Sequence, residues 1–233
     1  MIPKNIMRIW LGKKKMPDLF EQWWEEFQVI NKGYNFMTFD NDSIKDVEVP
    51  KTIQPLIDDV TNIGSLAGLA DIYRILVVKQ YGGIYIDCDF MPIRSFDLIT
   101  DDPRVTCFSG KISKKYFLNC ILGATKNHNA INEALYQFPK WYREHRHENC
   151  DIRTGPTFLN NVWQNRSDVT LYPKPYFHLL DQFKRMKVNG KQTKSLDRET
   201  RFKIFADKDH FSDKAIAVHF ANTNWGGKPK GKL

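Results

Sequence analysis

Asp87 and Asp89, one residue apart at the end of the stretch KQYGGIYIDCDF, are the side chains in this sequence best suited to chemistry. Acids in that pattern are either turn and capping residues or ligands for something positive. Side chains alternate along a strand with a period of two, so the run GIYI would deliver both carboxylates to one face and Cys88 to the other. Two hard oxygen donors on one face suit Mg2+ or Mn2+, ions that also take phosphate oxygens. A lone tripeptide of this kind is a weak signal, and its surroundings strengthen it. Upstream, Asp71 and Arg74 stand three apart in an otherwise apolar helical run, hence on one face. There they pair with each other or meet a ligand. The remaining polar clusters carry less. HRHENC, His145 to Cys150, fits no zinc spacing and reads as the charged end of a surface helix. His128 reads as a loop or cap residue, and Phe20, Trp23, Trp24 and Phe27 as core rather than a membrane-inserting face.

The elements that must position these residues alternate. KNIMRIWLG reads as a buried strand, and the apolar spacing after Pro17 as a helix. YNFMTF alternates as a second strand, and a short helix from Ser43 stops before Pro50. SLAGLADIYRILVVKQY is apolar on most faces, which predicts a buried helix with Gly82 and Gly83 as its C-cap. GIYID, VTCFSG, NCILGA, TLYPKPYFHLL and AIAVHF supply further strands, and NAINEALYQFPKWYREH a further helix. The expected class is α/β, with a mostly parallel sheet and ligands at the strands' carboxyl ends.

With 233 residues, the chain suffices for one sizeable core, or at most two small ones. No apolar run approaches the roughly 18 residues that span a bilayer, and MIPKNIMRIW lacks the pattern of a signal peptide. Cys88, Cys107, Cys120 and Cys150 form no CxxC pair and are expected as reduced thiols in a cytoplasmic protein. The net charge of +8 favours an anionic partner: nucleic acid, anionic lipid or a phosphate-bearing small molecule. Residues 183–203 carry eight Lys/Arg against two acids, and the last eight residues add three lysines. These are either a solvated loop and a frayed end or a surface facing an anion or a membrane.

The string LADIYRILVVKQYGGIYIDCDF resembles the sugar-binding DXD glycosyltransferases, family 32, which include fungal initiating mannosyltransferases and, more distantly, large glucosylating toxins. IPKNIMRIWLG, RTGPTFL and AVHFANTNW resemble three further blocks of that family, in its order and across nearly the whole chain. The resemblance implies a GT-A glycosyltransferase fold, Rossmann-like, over residues 1–227, with 228–233 as a flexible basic tail. It implies that Ile9 and Trp10 hold the nucleotide base, that Asp71 and Arg74 contact donor sugar and ribose, and that Tyr85 and Asn119 lie beside the donor. Gly155 and Pro156 would shape the sugar pocket. Asp89 would bind Mn2+ or Mg2+ directly, Asp87 would reach the ribose or a metal-bound water, and His219 and Trp225 would close over the diphosphate, with His219 a further metal ligand beside Asp87 and Asp89. The implied catalytic set is Asp71, Arg74, Asp87 and Asp89. Asn224 stands where the family usually has a serine before the Trp.

The function so implied is metal-dependent, retaining transfer of a sugar from a UDP- or GDP-sugar to a glycan or glycolipid acceptor. Its setting would be capsular polysaccharide, lipopolysaccharide or related surface-glycan biosynthesis, in the cytoplasm or at the inner face of a membrane. A toxin-like transferase acting on a host protein is the alternative within the class, although the chain lacks the toxins' long insertions. A nucleic-acid-binding protein would explain the charge but leave Asp71, Asp87 and Asp89 unexplained, and no nucleic-acid motif is present. A metal-dependent phosphohydrolase would normally need a second acidic cluster.

Overall fold

The computed structural model describes residues 1–113, 116–179, 187–188, 191–192, 211 and 213–220. In chain order the first half comprises β1 (Asn5–Ile9), α1 (Asp18–Ile30), β2 (Asn35–Phe39), a 3-10 turn (Ser43–Asp46), α2 (Gln54–Asn62), α3 (Leu66–Tyr81), β3 (Gly83–Ile86), β4 (Phe90–Pro92) and α4 (Asp97–Thr100). Then come β5 (Cys107–Ser113), β6 (Tyr116–Ala124), α5 (Asn129–Glu144), α6 (Cys150–Arg153), α7 (Pro156–Trp163), β7 (Thr170–Tyr172), β8 (Phe177–Leu179), β9 (Lys187–Val188), β10 (Lys191–Gln192) and β11 (Ala217–His219).

The main sheet has the order β2-β1-β3-β6-β5-β7. β1 pairs parallel with β2 and β3, and β5 pairs parallel with β7. Only β6 runs against its neighbours, because the short connection from β5 leaves room for a hairpin and no crossover. The sheet is therefore mixed and mostly parallel. β3 is buried along its whole length, as a central strand covered on both faces must be. Ile84 and Ile86 pack with Trp24 and Phe27 of α1 on one face. Tyr85 packs on the other with α2, α3, α5 and α7, where Phe138 and Phe158 stack with centroids 4.1 Å apart. The Phe20-Trp23-Trp24-Phe27 stripe is core, as its spacing predicts.

α3 is punctuated at both ends. Ser65 Oγ accepts from the Gly68 N–H at 3.1 Å, and Gly82 ends the helix at φ +64°. Gly83 has φ +107°, and a Cβ there would lie 2.6 Å from the Asn5 carbonyl oxygen. The glycine pair is thus both the stop of α3 and the place where β3 passes tightly against β1. That contact fixes where β3 begins.

TLYPKPYFHLL is split by its prolines into two strands of different sheets. β7 edges the main sheet, while β8 joins β11 and β4 in a second sheet of order β4-β11-β8. β11 pairs antiparallel with β4, setting His219 opposite Phe90. β9 and β10 form a two-stranded antiparallel ribbon. The remainder of the basic 183–203 segment, Trp225, Asn224 and the 228–233 tail lie outside the described residues. Among the described residues, no helix is long and apolar enough to cross a membrane.

His128 is a helix cap. Its Nδ1 accepts from the Ala130 N–H at 3.1 Å, so the proton sits on Nε2, which faces Thr106 Oγ1 at 3.1 Å. Burial lowers its pKa, and the cap needs the neutral ring. A folded-state pKa below the ordinary value gives stability that is present above about pH 6.5 and is lost as pH falls. Replacing His128 by Asn keeps a capping oxygen that does not titrate. His128→Asn is therefore expected to lose about 1 kcal/mol less stability than wild type between pH 7 and pH 5, and so to hold its melting temperature better. Parallel thermal melts check this; identical pH profiles would remove the cap's role.

Candidate active site

The site is built where α3, β3, β6, α6 and β11 meet. α3 turns Ala67, Ala70, Asp71 and Arg74 to one side, the i, i+3, i+4, i+7 face of a helix. These residues line a cavity of about 310 Å3. The two small side chains leave space beside the two charged ones. Ile9, Tyr85, Asp87, Asp89, Asn119, Pro156 and His219 line the same cavity.

Arg74 is the hub. Only 5% exposed, it donates through Nε to the Ala70 carbonyl (3.2 Å) and through Nη1 to the Asn119 carbonyl (2.8 Å). Its Nη2 lies 3.1 Å from Asp71 Oδ1 and 3.3 Å from Asp87 Oδ1. One guanidinium thus holds two carboxylates from different elements. Asp71 is held from its other side as well. Asn119 Nδ2 donates to Oδ1 (2.8 Å), and Thr154 Oγ1 (3.0 Å) and the Cys150 thiol (3.3 Å) donate to Oδ2. Tyr85 Oη donates to Asp87 Oδ1 at 2.7 Å. Burial pushes the Asp71 and Asp87 carboxyls up, with Arg74 pulling against it at both. The guanidinium itself stays charged, since the two acids and Tyr85 outweigh its own burial.

The chain leaves extended geometry after Ile86, so Asp87 and Asp89 converge through a turn rather than along a straight strand. Asp87 N–H still donates to the Cys120 carbonyl (2.9 Å), continuing the β3–β6 ladder by one residue. Within that turn Cys88 points away, its thiol donating to the Ile9 carbonyl at 3.3 Å. His219 Nε2 lies 3.0 Å from Asp89 Oδ1 and 3.9 Å from Asp87 Oδ2, with its ring stacked on Phe90. The Phe220 N–H donates to the Asp89 carbonyl (3.0 Å). Burial disfavours an imidazolium at His219, but the Cys120 sulfur and the Asp89 carboxylate outweigh it and hold the pKa well above the usual value.

Asp87 and Asp89 each approach the His219 imidazole, and ligand atoms of Asp87, Cys120 and His219 lie within 4.8 Å of one another, a donor set that fits a divalent ion. His219 is the nitrogen donor of that set. Its Nδ1 is buried without a hydrogen-bond partner, the kind of orphaned polar atom that a functional site explains.

Not every expected residue lines the cavity. Trp10 is half-buried beside it, its indole donating to the Lys14 carbonyl at 2.7 Å and its ring edge-on to Phe20. Gly155 caps α7 behind Pro156, where a Cβ would meet the Asp151 backbone at 3.0 Å. The sequence reading missed Thr154 and Cys150, which donate to Asp71, and Cys120, which lies beside His219. Thr154 lies inside the quoted RTGPTFL block. The two cysteines carry no spacing signal, because their partners are far away in the chain. HRHENC is no metal site: His145 stacks on Trp141 at 3.8 Å and Arg146 pairs with Asp59. All four cysteines are free thiols.

An α/β sheet that carries a DXD turn at the carboxyl end of a central strand, ringed by a buried acid-arginine network, defines a glycosyltransferase of the GT-A fold. Residues 17–106 match the family model of the glycosyltransferase sugar-binding region containing the DXD motif. The chain is 25% identical over 187 residues to the uncharacterized glycosyltransferase L373 of Acanthamoeba polyphaga mimivirus, covering 76% of this chain and 73% of that protein. It is 25% identical over 171 residues to the mannosyl phosphorylinositol ceramide synthase CSH1 of Saccharomyces cerevisiae, covering 70% of this chain and 43% of that one. The PaToxG glycosyltransferase superposes with TM-score 0.57 at 21% identity, over 69% of this chain and 68% of that one. The UDP-bound glycosyltransferase domain of the YGT toxin superposes with TM-score 0.51 at 12% identity, over 73% and 79%. At these identities the superpositions carry the fold alone. Asp71, Arg74, Asp87 and Asp89 fall inside the matched region, whereas Asn119, Thr154 and His219 are brought to it by the fold.

Proposed function

We propose that the protein is a metal-dependent, retaining transferase that moves a sugar from a UDP- or GDP-sugar to a glycan or lipid-linked acceptor in surface-glycan biosynthesis, with residues 1–227 as one catalytic domain. The observation that carries this reading is the meeting of the Asp71-Arg74-Asn119 network with Asp87, Asp89 and His219 around one cavity. The family's DXD region supports a nucleotide-sugar donor, as does a fold shared with a UDP-bound transferase domain. A relative named as a mannosyl phosphorylinositol ceramide synthase supports a lipid-linked acceptor.

Asp87, Asp89 and His219 would hold the ion, and when bound it supplies Lewis-acid neutralisation of the departing diphosphate. The rest of the work belongs to side chains already locked in place. Asp71 presents a carboxylate for sugar hydroxyls in an orientation fixed by Asn119, Thr154, Cys150 and Arg74. Acceptors and donors fixed in advance need no reorganisation when charge develops, which is where such sites gain rate. Arg74 pulls the Asp71 and Asp87 carboxyls down against the burial that raises both, and so favours their charged forms in a buried setting. Ile9, Ala67, Ala70 and Pro156 give the cavity its apolar wall.

Thermal unfolding against UDP- and GDP-sugars, each with and without Mn2+, tests the reading. Stabilisation is expected only when nucleotide and metal are present together, at about 2.7 kcal/mol when ligand reaches a hundred times its dissociation constant. Equal stabilisation by a metal-free oligonucleotide would sink it in favour of nucleic-acid binding.

A further inference from the structure

Cys120 lies behind the cavity wall beside Asp87 and His219, and the reading above gives it no work. It lies on β6 directly across the ladder from Asp87, whose N–H donates to the Cys120 carbonyl at 2.9 Å. Its side chain is 4% exposed and packs against the His219 imidazole. The Cys120 sulfur, an Asp87 carboxylate oxygen and a His219 ring nitrogen all lie within 4.8 Å of one another. Three elements far apart in sequence, β3, β6 and β11, thus present one oxygen, one sulfur and one nitrogen donor to a common point.

We propose that Cys120 is a metal-ligating residue, so that the site has two overlapping donor sets, and that thiophilic divalent ions such as Co2+, Zn2+ and Cd2+ bind it more tightly than Mg2+ or Mn2+. The proposal rests on the metal site of the preceding reading and adds a ligand to it. Hard ions take the oxygens of Asp87 and Asp89 with His219, and the sulfur stands by. Softer ions take sulfur, nitrogen and the Asp87 oxygen, a mixed set that suits Zn2+ and Co2+. Donors of a tetrahedral centre with bonds of about 2.0–2.3 Å lie about 3.5 Å apart, so closing this group asks each donor to move less than about 1 Å. The thiol proton leaves to solvent as the sulfur–metal bond forms, one proton per ion bound at this ligand.

Titrating Co2+ into the full chain in a thiol-free buffer tests this. Sulfur ligation gives a near-ultraviolet sulfur-to-cobalt charge-transfer band, which oxygen and nitrogen ligands do not. The band is expected to saturate at one Co2+ per chain. Cys120→Ser and Cys120→Ala should both lose it and bind Co2+ about 10–100-fold more weakly, while Mn2+ affinity holds. Cys107→Ser, a change in the core away from the cavity, should keep the band. Metal-free melts of each variant show that it is folded, and the wild-type band stands as a readout even where a variant is not. Co2+ that fails to bind wild type, binds without the band, or gives a band that survives in Cys120→Ser overturns the proposal. If UDP with Mn2+ still stabilises the chain in that case, only the Cys120 assignment falls. If no divalent ion binds with or without nucleotide, the metal-dependent reading falls with it.

Discussion

Asp89→Asn is expected to lose sugar transfer by about 10³-fold, the scale of removing one preorganised electrostatic group at a reacting centre. The substitution keeps the shape of the side chain and removes the charge that faces His219 Nε2 at 3.0 Å. Removing one member of a buried ion pair usually costs about 3–5 kcal/mol, because the other charge is stranded. Here the stranded partner is a histidine, which can shed its proton, so the fold should lose only about 1–2 kcal/mol. The signature is therefore a split: activity and Mn2+-dependent nucleotide binding go, while the melting temperature without ligand changes by a few degrees. Transfer within tenfold of wild type would remove Asp89 from the metal site.

Arg74→Met is expected to cost the most stability of any single change at the site. It leaves Asp71 and Asp87 buried without the cation that both share, at about 3–5 kcal/mol. For a chain of this size that is a fall in melting temperature on the order of 10 °C. Without Arg74, burial raises both carboxyls further, so the folded state binds protons more tightly than the unfolded chain. A raised folded-state pKa gives stability at pH below it and withdraws that stability as pH climbs through it. The gap between variant and wild type should accordingly narrow between pH 7 and pH 4.5, and melts across that range check it. Arg74→Lys separates stability from geometry. It restores the charge, but an ammonium lacks the planar fork that reaches the Asn119 carbonyl and both carboxylates at once. Its melting temperature should recover part of the loss while transfer stays low. A lysine variant with wild-type transfer would show that Arg74 acts through charge alone.

Local chemistry explains how much of this site is legible in the sequence. The stop of α3 is written in Gly82 and Gly83, since left-handed backbone and a Cβ-free approach to β1 are demands that glycine meets. The cavity face of α3 is written in its spacing, because residues 67, 70, 71 and 74 share a face in any helix. The meeting of Asp71 with Arg74 follows from the same geometry. Other readings depended on order along the chain rather than on contact. The RTGPTFL block was recognisable as a unit, but nothing local says that Thr154 donates to a carboxylate 83 residues earlier.

Similarly, Arg8 reads as an odd residue in an apolar strand. Only the packed structure sets its guanidinium over Trp24 at 4.4 Å and against Glu21 and Thr38. By itself the sequence determined the periodic elements, the punctuation of α3 and the two pairs of charged residues on and after it, all set within one or two turns of chain. The tertiary structure decided which way β6 runs, that the prolines divide β7 from β8, and that β11 returns to lay His219 beside Asp89. Those choices depend on hydrogen bonds and burial between separate segments, β11 and β4 being more than a hundred residues apart, and no local pattern contains that energy.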